Sequence, residues 1–124
     1  MPRSIELCIL GMFFIFAGQG VFAEQSYPDI NSELAAGKGI WIENCEVCHG
    51  YGIAGAPIPM RTRDWESRLD KPNEELYRNA ISGFFGPGDT QMPARGGNNE
   101  LTDDEVRRAV DYMVALARHY LDKL

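Results

Sequence analysis

Cys45-Glu46-Val47-Cys48-His49 constrains this 124-residue chain more than any other feature. The spacing C-x-x-C-H is the attachment sequence of a c-type haem. Thiols three residues apart fall on one face of a helical turn, where both can form thioethers with the two vinyl groups of a single porphyrin. His49 then offers its imidazole to the iron. Proximal histidine ligation leaves the other face of the iron open, so the group that fills it separates an electron carrier from a ligand-binding or catalytic haem. A zinc site or a thioredoxin-like pair needs partners or a strand-helix context that the chain lacks, since its remaining cysteine and histidine are Cys8 and His119. One haem c, bound through Cys45 and Cys48, is the expected cofactor.

The first residues say where such an attachment takes place. Met1 to Ala23 carries an early cation, Arg3, an apolar stretch from Leu7 to Phe16, and small residues ending in Val21-Phe22-Ala23. This reads as a secretory signal peptide over residues 1–23, cleaved after Ala23, with retention as an uncleaved anchor the alternative. Cys8 lies inside the apolar run and reads as hydrophobic filler. Export fits the motif, because thioether attachment of haem occurs outside the cytoplasm in bacteria, and a periplasmic location is expected. Residues 24–124 then form a single monohaem domain, small enough that the porphyrin supplies much of its core and the apoprotein folds poorly.

Periodicity along residues 24–124 is helical, and the fold class is all-α. A first helix is expected from about Asn31 to Cys45, with Leu34, Gly37 and Trp41 on one face together with Ile30 and Cys45. Gly50 to Pro59 is loop chemistry. Short helices are expected over Asp64 to Leu69 and Asn73 to Ser82, the second introduced by Pro72 and closed by Gly83. Thr102-Asp103-Asp104-Glu105 is a capping box, and the last helix should run to about Tyr120 with Val106, Ala109, Val110, Met113, Leu116, Ala117 and Tyr120 facing the core.

A soft thioether favours ferrous iron, which makes methionine the expected second axial ligand of an electron carrier. Met92 is placed best, in a loop between helical segments where Pro93 fixes the backbone and Gly96-Gly97 let the chain lie flat against a ring. Met60 follows His49 closely in sequence, Met113 sits in the stripe of the last helix where core packing is the ordinary role, and His119 or an open site completes the set of alternatives.

Gly37 and Trp41 before the haem motif, then Met92-Pro93-Ala94-Arg95-Gly96-Gly97, then Thr102-Asp103-Asp104-Glu105 leading to Ala109-Val110-Asp111-Tyr112-Met113, together resemble a small class I cytochrome c. In Gly55-Ala56-Pro57, Trp65 to Arg68 and Met92 to Gly97 the chain is similar to the bacterial cytochrome c-five group. Members of that group often carry a cysteine pair where this chain has Asn98 and Asn99. The resemblance implies the cytochrome c fold, three to five short helices wrapped around one haem. It also implies that the first and last helices are packed crosswise with Gly37, Trp41 and Tyr112 at the crossing. It further implies that the Pro57 carbonyl accepts the His49 N–H. Trp65 and Arg68 are placed by it near a haem propionate, against the ordinary roles of core tryptophan and solvated arginine.

With both axial positions filled the expected function is one-electron transfer in a periplasmic redox chain, not enzymatic catalysis. A haem-bearing subunit of a larger dehydrogenase or oxidase, and a gas-binding or peroxidatic haem with an open site, are the alternatives. The net charge of −6, with 18 acidic against 12 basic residues, disfavours nucleic acid and anionic lipid and favours basic docking patches on redox partners, though it also serves solubility. Membrane contact is expected only through membrane-bound redox partners, and the chain is expected to be a monomer.

Overall fold

Asn31 opens the first helical segment, its side chain accepting the Glu33 N–H at 2.8 Å and capping a short 3-10 turn over Ser32–Leu34. The computed structural model describes residues 26 to 124, and the expected leader with Cys8 lies outside them. The turn leads into helix α1 (Ala35–Asn44), which breaks at Cys45 before a single helical turn, α2 (Glu46–His49). The expected helix from Asn31 to Cys45 therefore enters through a 3-10 turn and ends at its expected bound, and the haem motif continues onto a separate turn beyond it. Ile30 precedes the helix outside any regular element. Two glycines and two β-branched residues give α1 weak intrinsic propensity, so tertiary packing holds it.

Helices α3 (Thr62–Leu69) and α4 (Asn73–Ser82) follow, the first starting two residues earlier than the pattern indicated and the second at the expected bounds. Gly83, at φ 85 and ψ 162, ends α4 in a conformation that only glycine adopts readily. The chain then pairs with itself in two short antiparallel strands, β1 (Phe84–Phe85) and β2 (Gln91–Met92), with Phe84 opposite Met92. Strands of two residues carry no detectable period, and the helical reading of the sequence had none here.

The last helix, α5 (Asp103–Leu121), has both halves of its capping box: the Thr102 N–H donates to Glu105 at 2.8 Å and the Glu105 N–H to Thr102 at 3.3 Å. Its expected stripe is buried apart from the half-exposed Tyr120, and Tyr112 and Val114 are buried as well. The buried face is wider than the stripe because α5 packs against α1 on one side and α3 and α4 on others. Where α1 meets α5, Gly37 lies against the backbone at Arg108. Trp41 is fully buried beside it, its ring 5.8 Å from that of Tyr112 and 4.7 Å, edge to face, from that of Tyr27. No helix among the described residues is long and apolar enough to cross a membrane.

Candidate haem-binding site

The break at Cys45 places the two thiols and His49 on the wall of a cleft of about 370 Å³, within the range of roughly 300 to 1,000 Å³ common for cofactor sites. Pro57 lines it from the loop after α2, Trp65 and Arg68 from α3, and Met92 from β2. All seven residues singled out in the sequence thus meet in one place. Met113 also reaches the cleft from α5, whereas Met60 packs against the core outside it, and His119 sits in the last turn of α5 beside Tyr120.

His49 is held by its neighbours rather than free to rotate. Its Nδ1 lies 2.9 Å from the Pro57 carbonyl, and since that oxygen only accepts, Nδ1 carries the proton and Nε2 keeps the lone pair. The loop bearing Pro57 is anchored in turn, because the Ile58 N–H donates to Asp64 of α3 at 3.2 Å. Burial lowers the basicity of His49 below its ordinary value; the Pro57 bond opposes this and the nearby Arg68 charge adds to it. A neutral imidazole is the form that ligates metal. In the chain before attachment, burial, with Cys48 beside it, pushes the Cys45 thiol up to about 11. Cys45 and Cys48 form no disulfide, which leaves both sulfurs available for thioether attachment.

The donors fit a covalent haem. Trp65 is buried, yet its Nε1 has no hydrogen-bond partner among the described residues, and the residue lines the cleft. A buried N–H without an acceptor is uncommon and suits a carboxylate of a bound group. Arg68 donates to the Asp64 carbonyl of its own helix and still has free N–H groups. Lys71, paired with Glu75, adds a second cation to the cleft wall, a contribution that motif reading missed because a lysine after a short helix reads as solvated charge. Asn44 is a second omission, lining the cleft beside Cys45. Trp41 Nε1 is likewise buried without a partner among the described residues, and nothing in the structure accounts for it.

Residues 32–113 match the family model described as cytochrome C oxidase, cbb3-type, subunit III. The chain is 42% identical over 85 residues to cytochrome c-555 of Prosthecochloris aestuarii, spanning 66% of this chain and 86% of that protein. The chain belongs to the small class I c-type cytochromes. Cytochrome c5 of Ectopseudomonas mendocina is 34% identical over 76 residues, 60% of this chain and 82% of that one. Among solved structures, a chain from a crystal structure of an electron transfer complex of nitrite reductase with cytochrome c matches with a TM-score of 0.58 at 32% identity, covering 68% of this chain and 96% of that one. This cytochrome therefore has the cytochrome c fold and one covalent haem c, with Cys45 and Cys48 at the attachment spacing, and its role is haem-based electron transfer.

Proposed function

We propose that this cytochrome is an exported one-electron carrier, its leader removed after Ala23, whose haem iron is held between His49 and Met92. The observation that carries the reading is the convergence of both cysteines, His49 and Met92 on one cleft that Met60 and His119 do not reach. When bound, the haem supplies a ferric–ferrous couple that exchanges one electron with little rearrangement if both axial positions are protein atoms. The chain's own residues set its surroundings. Pro57 orients the imidazole and strengthens its donation. Trp65 and Arg68 would hold the propionates, and the apolar residues of the cleft wall would exclude water. Met113 is the less suitable thioether, because it is buried in the core stripe of a 19-residue helix. With no axial position left for substrate, the protein is a carrier and not an enzyme.

Partners approach where the cleft meets solvent, at Ile53 and Phe84, which are 50% and 42% exposed. The net charge of −6 selects basic docking patches on redox proteins of the periplasm, with the cytochrome itself a monomer. A redox enzyme such as the nitrite reductase bound to the structural neighbour is the kind of acceptor that fits. The family description favours a second reading, an electron-transfer subunit of a larger oxidase. Co-purification with a large redox subunit separates the two. Visible and near-infrared spectra of the holoprotein test the ligands: Met92→Ala should abolish the near-infrared band of methionine ligation and open the ferrous form to carbon monoxide. A band that survives in Met92→Ala, or immediate carbon monoxide binding by the parent, rejects the assignment.

A further inference from the structure

Three elements are tied together beside Met92. Asn44, the last residue of α1 and the neighbour of Cys45, accepts at Oδ1 a 2.8 Å hydrogen bond from Nδ2 of Asn98. The Asn44 Nδ2 donates back to the Ile40 carbonyl at 2.9 Å, which fixes the amide so that Oδ1 faces Asn98. Its backbone carbonyl packs on Gly96, where an added Cβ would come within 3.1 Å of it. On the other side of the loop Arg95 donates to the Leu101 carbonyl at 2.9 Å and to Asp103 at 2.6 Å, tying the segment to the start of α5. Asn44, Met92, Pro93 and Gly96 all line the cleft.

The segment between Met92 and Asn98 has little regular structure of its own. Arg95 and Gly96 occupy left-handed conformations, at φ 55 and φ 65, and its own backbone bonds are tight turns at 3.2 Å. Such a segment opens locally unless side chains fasten it. We propose that the Asn98–Asn44 hydrogen bond is a clasp that fastens the Met92 loop to the end of α1, next to Cys45 and the haem motif, making both asparagines positioning residues for the sixth iron ligand. The inference rests on the reading of Met92 as that ligand.

An added ligand reaches the position of Met92 only in the opened fraction of molecules, so its apparent affinity rises in proportion to that fraction. Imidazole titration of the ferric holoprotein, followed by loss of the near-infrared methionine band, reads it directly. Asn98→Asp removes the donor to Asn44 but keeps the Oδ1 that accepts the Glu100 N–H at 3.1 Å. Loss of one net hydrogen bond should tighten apparent imidazole binding about five- to tenfold. Asn98→Ala carries the same expectation should the aspartate variant yield no holoprotein. Tyr77→Phe removes the bond to Asp111 that links α4 to α5, and should soften the whole fold without changing imidazole affinity. Parent-like affinity in Asn98→Asp, with Met92→Ala binding imidazole far more tightly, overturns the clasp and leaves the Met92 ligand standing. Equal tightening in Tyr77→Phe also overturns it, since general softening would then explain the effect. A methionine band that persists in Met92→Ala removes both readings.

Discussion

A methyl group placed on Gly37 would lie 2.2 Å from the carbonyl oxygen of Arg108, inside the contact distance of any two unbonded heavy atoms. The first and last helices of this cytochrome therefore touch backbone to side-chain position, with Trp41 and Tyr112 closing over the crossing. The obstructing atoms are main chain and cannot swing aside. Gly37→Ala should cost about 3 kcal/mol or more by overpacking, lowering the Tm of the holoprotein by on the order of 10 °C. Thermal denaturation followed by circular dichroism measures it, and an unchanged Tm would mean that α1 does not sit this close to α5.

The capping box of α5 makes acid stability depend on Glu105. Bonds from Thr102, chiefly its backbone N–H, hold the Glu105 carboxyl below its ordinary value of 4.5. A depressed carboxylate contributes its stability fully above the ordinary value and loses it as pH falls through the lowered one. Tm should thus drop more steeply between about pH 5 and pH 3 in the parent than in Glu105→Gln, which keeps an acceptor but cannot titrate. Parallel Tm profiles for the two proteins would dismiss the carboxylate's part.

Asp64 fastens the loop whose carbonyl orients His49, since it accepts the Ile58 N–H one residue beyond Pro57 and pairs with Arg61 at 3.5 Å. Asp64→Ala leaves that N–H without its acceptor and should cost about 2 kcal/mol, a typical value for a hydrogen bond to a charged group. Asp64→Asn should recover part of the loss. Urea unfolding of the holoprotein gives both numbers, and equal midpoints for all three proteins contradict the role.

Arg68 lines the cleft and carries a charge close enough to depress His49. A fixed cation favours the ferrous state, so Arg68→Gln should lower the midpoint potential by on the order of tens of millivolts. Trp65→Phe, which deletes the unpartnered Nε1 donor, should shift it in the same direction. Protein-film voltammetry of the variants decides, and a potential unmoved in both places these residues outside the electrostatics of the haem.

Signals carried within one or two helical turns were legible in the linear chain. C-x-x-C-H, the Thr102–Glu105 cap and the Pro72 and Gly83 punctuation each involve residues that interact with near neighbours, and the structure has those elements within a few residues of the expected bounds. The stripe of α5 was readable for the same reason, because helical geometry alone brings every third or fourth side chain to one face.

What the linear pattern left open depends on elements meeting after they form. Met60 and Met92 are chemically alike, and it is the fold that puts Met92 of β2 on the cleft wall that residues of α2 and α3 also line, and leaves Met60 off it. The pairing of Phe84 with Met92 is too short to leave a period, and Asn44 and Asn98 stand 54 residues apart with nothing local to connect them. Hydrogen bonding and periodicity between near neighbours are written into residue order, whereas contacts between distant segments exist only once the hydrophobic core has brought those segments together.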